Sequence, residues 1–148
     1  MMSLFKGPMR QHIQGHKELT EHVDILEIKA GNCVYIPMLS GASTNLEMLV
    51  QEGDKVLVGT KLAVCNERNV VPIYSSVSGT MKGIEKRMHS SLKPVNHLVI
   101  ENDGEYKKEQ SFEPLDYETA DRTALIDFMM NAGIIGLGGA GFPAYIKY

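Results

Sequence analysis

The stretch VQEGDKVLVGTKL, at residues 50–62, carries the spacing V-x-x-G-D-x-V-x-x-G-x-x-L. Gly53 and Gly59 can adopt the positive φ that tight turns require, and the apolar positions alternate as the inward side chains of short strands do. These inward positions are Val56, Val58 and Leu62. A second stretch, VSGTMKGI at residues 77–84, gives S-G-T-x-x-x-I after an intervening hairpin. The two stretches predict the two halves of a small β unit.

Short apolar runs broken by glycine, aspartate and asparagine extend this pattern from His22 to Gly104. The strand candidates are residues 23–28, 34–36, 46–50, 56–58, 62–65, 70–74, 80–84 and 98–101. Turn signals separate them at residues 53–54, 59, 79 and 102–104. We therefore expect an all-β domain over residues 22–104 in a mainly β protein, α+β overall.

Composition and charge limit the classes of function. The 148 residues are 43% hydrophobic with a net charge of -3, which predicts a folded domain and no nucleic-acid partner. No apolar run reaches the roughly 20 residues that span a bilayer, and no secretory leader is recognisable, so we expect a cytoplasmic protein without direct membrane insertion. Cys33 and Cys65 lack the spacing of an iron-sulfur or zinc site, so no metal is expected in this chain.

Two polar segments flank the β domain. Residues 1–21 are interpreted as an N-terminal arm, and residues 105–117, rich in Lys, Glu and Gln, as a linker. Histidines in and just after the arm are His12, His16 and His22. Gly15 disfavours the helix that would align the first two, so they are not expected to bind a metal.

Residues 118–148 predict a helix followed by a glycine-rich segment. Thr119 or Asp121 offers an N-cap, and Gly133 fits the position just beyond a helix end. The apolar residues at helical spacing are Ala124, Leu125, Phe128, Met129 and Ala132. Pro143 then fits the first turn of a further helix.

The glycine-rich loop, defined here as residues 136–142, is the candidate site for chemistry. Its glycines leave backbone N–H groups unshielded, and a helix beginning at Pro143 would direct its positive end toward a bound phosphate. No Gly-Lys-Ser/Thr follows, as in a Walker loop, and no parallel-sheet pattern surrounds it, as in a dinucleotide fold. Taken alone, such a run is equally consistent with a flexible tail or a tight turn.

The two stretches of the β domain resemble the biotinyl/lipoyl family, which implies a barrel-sandwich hybrid fold. Carriers of that family present a lysine at the tip of the hairpin between the two halves. The corresponding segment here, CNERNVVPIYSS at residues 65–76, places Glu67 and Arg68 near the tip. A guanidinium stays protonated and cannot be acylated as an amine can, so carrier function is not expected.

The glycine-rich end resembles the flavin loop shared by the NADH-oxidising subunit of respiratory complex I and the RnfC subunit of the Rnf electron transport complex. The match is GLGGAGFP at residues 136–143, with Lys147 four residues after the proline. Further segments resemble the RnfC family in its own order. They are FKG at 5–7, HKELT at 16–20, the valine-glycine stretch from 50, SVSGT at 76–80 and VIENDG at 99–104.

The RnfC resemblance implies that residues 118–148 begin an FMN- and NADH-binding α/β domain. In the full-length protein it implies an NADH-linked oxidoreductase that passes electrons through FMN to [4Fe-4S] clusters. This fragment alone would be inactive and hold no cofactor. The cofactor-binding residues implied are Gly136, Gly138, Gly139, Ala140, Gly141, Phe142 and Lys147.

The implied partners are NADH and the other subunits of a membrane-bound electron transport complex, with the protein peripheral on the cytoplasmic face. Residues 39–40 read Leu-Ser where the family pattern has Gln-His, which leaves open a soluble relative that serves a reductase. A third alternative is a non-catalytic β module that docks on a partner subunit.

Because the hairpin tip lacks a lysine, we predict that the protein carries neither biotin nor lipoate. The intact mass should equal that of the unmodified sequence. A mass increase matching either adduct would contradict this prediction.

Overall fold

The computed structural model describes residues 15–110, 112–137 and 141–148. Within these residues it contains seven strands, one α-helix and one 3-10 turn. The strands are β1 (Cys33–Pro37), β2 (Glu47–Met48), β3 (Lys55–Val56), β4 (Lys61–Val64), β5 (Ile73–Tyr74), β6 (Gly79–Met88) and β7 (Pro94–Asn102). The helix α1 spans Arg122–Asn131, and the 3-10 turn spans Ala144–Lys147.

The strands form two small antiparallel sheets that enclose the core. One sheet has the order β1-β7-β6-β3 and the other β2-β4-β5. The buried cluster between them consists of Met38, Val56, Leu62, Val77, Met81, Leu98 and Ile100. The mainly β expectation is therefore confirmed, as is the inward position of Val56 and Leu62, whereas Val58 is only half-buried.

The hairpin of β6 and β7 is the longest element of the fold. Its register runs from Gly79 opposite Asn102 to Met88 opposite Pro94, with a bulge between Met81 and Gly83. The sequence predicted shorter strands, because the outer half of β6 is polar and exposed and lacks the alternation that marks a half-buried strand.

The predicted strand at residues 23–28 is wrong. These residues belong to none of the described strands, and their aliphatic side chains are exposed, with Ile25 at 100% and Ile28 at 89%. β propensity reflects packing on a pleated, half-buried surface, and no described strand pairs with this segment. We call residues 23–28 the bare segment.

The predicted helix caps are confirmed. Asp121 is the N-cap of α1, and its side chain accepts a hydrogen bond from the Ala124 N–H at 2.8 Å. Gly133 follows the C-cap with a φ of 67°, the left-handed conformation that favours glycine.

Three aromatic rings connect α1 to the β domain. The Phe112 ring packs edge-on against Tyr74 of β5 at 6.0 Å and against Phe128 of α1 at 5.9 Å. The segment before Phe112 also lies against the β domain, because the Val58 N–H donates to the Lys107 carbonyl and the Glu109 N–H to that of Val58. The polar segment after residue 104 thus contacts both the sheets and the helix.

Gly79 provides the first stability test. A Cβ atom built on Gly79 would lie 2.0 Å from the Glu101 carbonyl oxygen, whereas one on Gly31 would meet nothing within 4 Å. We predict that Gly79→Ala lowers the free energy of unfolding by about 3 kcal/mol, because backbone rather than a flexible side chain must move. Gly31→Ala is the matched control and should stay within about 0.5 kcal/mol of the parent. Equal denaturant midpoints for the two variants would contradict the close approach.

Asp103 joins the start of β6 to the end of β7. Its Oδ1 accepts hydrogen bonds from the Ser78 hydroxyl at 2.6 Å and from the Glu105 N–H at 2.9 Å. The buried Ser78 Oγ also accepts from the Lys107 N–H at 3.0 Å. The Ser78 hydrogen bond, helped by the Glu105 N–H, holds the pKa of Asp103 below its usual value.

Because the pKa of Asp103 is lowered in the folded chain, its contribution to the stability of the fold depends on pH. The carboxylate stabilises the fold fully above its unfolded pKa of about 4, and this stabilisation is lost as the pH falls through the folded pKa. We therefore predict that Asp103→Asn lowers Tm at pH 7 and that the deficit shrinks toward about pH 3. Thermal melts across this range should show no such trend for the control Asp24→Asn, in the bare segment. A deficit for Asp103→Asn that is constant with pH would refute the prediction.

Candidate functional site: the base of the glycine-rich loop

Backbone hydrogen bonds join the two ends of the glycine-rich loop. The Gly136 N–H donates to the Phe142 carbonyl, and the Ala144 N–H donates to the Ile134 carbonyl, both at 2.9 Å. Ile135 and Pro143 form an antiparallel bridge between these two bonds. The loop therefore leaves and returns through a short two-stranded ladder, which we call the loop base.

The further helix predicted to begin at Pro143 is replaced by the 3-10 turn Ala144–Lys147. Pro143 itself is extended, with a ψ of 129°, and precedes the turn without a side-chain cap. Because Pro143 bridges Ile135 and the next N–H bonds back to Ile134, the chain stays extended here instead of starting a helical turn. A four-residue turn supplies no helix terminus for an anion, so any phosphate here must be bound by the loop itself.

Four of the predicted cofactor-binding residues lie within the described part of the chain. Gly136 and Phe142 belong to the loop base, and the Phe142 side chain is 44% exposed. Gly141 has a φ of 62°, which favours glycine, and Lys147 is exposed at the end of the 3-10 turn. Gly138, Gly139 and Ala140 lie outside the described residues.

The donors at the loop suit an anionic phosphate. The N–H groups of Leu137 and Gly141 donate to none of the described residues, and Gly141 has no side chain that would shield its own N–H. Backbone N–H groups and a lysine ammonium are both donors of the kind that bind phosphate. The exposed Phe142 ring adds a planar apolar surface next to them. These N–H groups, Lys147 and the Phe142 ring are the described groups that could contact a phosphate-bearing ligand.

A cleft of about 320 Å³ separates the loop base from the β domain. Leu39, Ser40 and Pro72 line it on the β side, and Ile135 and Gly141 line it on the loop side. The two residues that depart from the family pattern therefore face the glycine-rich loop across this cleft. The sequence shows that these two residues depart from the family pattern. It does not predict that they lie near the loop, because 95 residues separate Ser40 from Ile135.

Ser40 is bound within the β domain. Its buried Oγ donates to the Val71 carbonyl at 2.8 Å and accepts from the Val71 N–H at 2.9 Å. This pair of bonds fixes the loop after β1 to the segment before β5. Ser40 therefore shapes the wall of the cleft, and its single O–H is used within the β domain.

The hairpin tip between β4 and β5 lies beside the end of α1. A second cleft, of about 200 Å³, is lined by Glu67 and Val70 of the tip and by Met130, Asn131 and Tyr145 of the helical segment. The sequence pattern alone gives no reason to place this tip near the helix. Periodicity and spacing carry no information on how two sequence-distant elements pack.

The sequence predicts no metal site within this chain. Among the described residues, no group of three or more histidine, cysteine, aspartate or glutamate side chains could hold an ion. His12 lies outside them. None of the described helices is long and apolar enough to span a membrane.

Comparison with known proteins identifies relatives across most of the chain. Residues 5–105 match the family described as the RnfC barrel sandwich hybrid domain. The C subunit of the Na(+)-translocating ferredoxin:NAD(+) oxidoreductase complex of Acetobacterium woodii is 36% identical over 144 residues, which cover 97% of this chain and 32% of that protein. The C subunit of the ion-translocating oxidoreductase complex of Edwardsiella ictaluri is 32% identical over 133 residues, 88% of this chain and 16% of that protein.

The corresponding protein of Haemophilus influenzae (strain ATCC 51907) is 30% identical over 150 residues, which cover 97% of this chain and 18% of that protein. The chain thus spans about a third of the first of these relatives and less than a fifth of the other two. The family match ends at residue 105, whereas the Acetobacterium alignment, at 97% of the chain, includes α1 and reaches the glycine-rich loop.

Proposed function

This chain belongs to the RnfC barrel sandwich hybrid family, and from that premise we propose that it is the N-terminal region of an electron-transport subunit whose glycine-rich loop binds FMN. In the full-length subunit, NADH supplies the electrons and [4Fe-4S] clusters accept them. The proposed partners are the other subunits of an ion-translocating complex of the kind named for the relatives.

The loop base is the observation that carries this proposal. It fixes both ends of the glycine-rich loop while the N–H groups of Leu137 and Gly141 donate to no described residue. Donors that are already positioned bind an anion without a large ordering cost. The residues proposed to hold the cofactor are those implied by the resemblance: Gly136, Gly138, Gly139, Ala140, Gly141, Phe142 and Lys147.

Bound FMN would supply the two-electron to one-electron conversion that links a hydride donor to iron-sulfur acceptors. This chain would contribute binding and orientation. Backbone donors of the loop would hold the phosphate, and the exposed Phe142 ring would lie near the ring edge. No side chain of this chain is proposed to transfer a proton or an electron.

A second candidate function is docking on a partner subunit without any role in catalysis. The bare segment favours it, because Ile25 is fully exposed and no N–H from residues 24–29 donates to another described residue. A segment with exposed aliphatic side chains and no strand partner among the described residues can add to the edge of another sheet. The two functions are compatible, since the bare segment and the glycine-rich loop are separate parts of the chain.

Flavin binding to the full-length subunit tests the first function. Gly136→Val suits the test, because a Cβ at this position lies 3.7 Å from the Phe142 carbonyl oxygen, which is an ordinary contact. We predict that this variant weakens FMN binding by about tenfold or more, because a branched side chain at the loop base crowds the phosphate beside the neighbouring Leu137 N–H.

Gly31→Val is the matched control, since a Cβ at Gly31 meets nothing within 4 Å. It should retain the parent affinity for FMN, measured by quenching of flavin fluorescence. A full-length parent that binds no FMN, or a Gly136→Val variant with parent affinity, would overturn the assignment of the loop.

A further inference from the structure

We propose that Tyr74 is a positioning residue for the glycine-rich loop, through which the β domain sets the geometry of the loop base. This inference rests on the proposed function only where it concerns flavin. The structural part concerns the contact between β5 and the end of α1.

The Tyr74 hydroxyl donates a hydrogen bond to the main-chain carbonyl of Asn131. Asn131 is the last residue of α1, and the last four carbonyls of a helix have no partner within the helix. The phenol therefore satisfies a helix-end carbonyl that would otherwise face water. This bond spans 57 residues of sequence and ties β5 to the helix terminus.

The Tyr74 ring also limits the position of Gly133. A Cβ atom on Gly133 would lie 3.4 Å from Cε2 of the ring and 3.7 Å from the Pro72 carbonyl oxygen. The helix thus ends with glycine backbone close to the tyrosine ring. The ring also packs edge-on against Phe112, and the Lys61 ammonium lies 5.7 Å from the ring centroid. The ring therefore has three neighbours.

Two backbone hydrogen bonds of Ile134 connect the end of α1 to the loop base. The Ile134 N–H donates to the Met129 carbonyl at 3.3 Å, and the Ile134 carbonyl accepts from Ala144 at 2.9 Å. Ile134 is therefore bonded to the helix by its N–H and to the returning strand by its carbonyl. A displacement of the helix end moves both strands of the loop base together.

Tyr74 keeps its proton under ordinary conditions. Partial burial raises the pKa of the Tyr74 phenol above its usual value, so the hydroxyl remains a donor at neutral and moderately alkaline pH. A carbonyl can only accept, so the bond to Asn131 needs this protonated form.

Tyr74→Phe separates positioning from packing, because it removes the hydroxyl and keeps the ring. The control is Tyr106→Phe, which removes a phenol that accepts a hydrogen bond from the Ala30 N–H at 3.0 Å elsewhere on the β domain. Hydrogen exchange of the 148-residue chain is the first measurement. The expected result is about fivefold faster exchange of the Ile134, Gly136 and Ala144 amides in Tyr74→Phe, with the amides of β6 and β7 unchanged.

FMN affinity of the full-length subunit is the second measurement. Tyr74→Phe should raise the FMN Kd about fivefold, whereas Tyr106→Phe should leave it unchanged. Unchanged exchange at the loop base, or faster exchange spread equally over β6 and β7, would overturn the inference. If the parent subunit binds no FMN but the exchange result holds, the proposed function fails and the positioning contact stands.

Discussion

The backbone of Gly79 packs directly on the backbone of Glu101, and this close approach lies at the start of the hairpin on which the four-stranded sheet is built. It aligns β6 with β7, which places Met81 and Ile100 opposite one another in the core. β1 then pairs with β7 and β3 with β6 along the two outer edges of the same hairpin. A side chain at position 79 would separate the pair at its start, where the hydrogen bonds of Ser78 and Asp103 join the strands.

The barrel-sandwich fold appears here with its hairpin in an unusual role. In the biotinyl and lipoyl carriers that the sequence resembles, the tip of this hairpin presents a modified lysine to other active sites. In this chain the tip and β5 face α1, and Tyr74 meets the helix end. The tip residues Glu67 and Arg68 stay exposed beside a cleft, and the fixed contact with the next segment is made by Tyr74 of β5. The barrel-sandwich fold is thus retained, and the hairpin between its two halves lies beside α1.

The sequence predicted local features better than contacts. Glycine and valine spacing indicated the β domain, and Asp121 and Gly133 marked the helix ends, because turns and caps depend on neighbouring residues. The bare segment was assigned as a strand because apolar content alone does not reveal whether a partner strand exists. Pro143 was assigned to a helix because its bridge to Ile135 depends on the return of the chain. The cleft at the loop base and the cleft at the end of α1 could not be predicted for the same reason.

The bare segment also bears on how this chain behaves in concentrated solution. Its sequence, VDILEI, has no proline or glycine, and its N–H groups from Asp24 onward donate to no described residue and can pair with an identical copy. Six-residue segments of high β propensity are the units from which cross-β assemblies grow, and the two acidic residues here are the only charges within the segment that oppose stacking. A chain that begins at Gly31 would keep every described strand of both sheets, together with the Gly31 and Asn32 carbonyls that bind Asn102, and would lose this route to self-association.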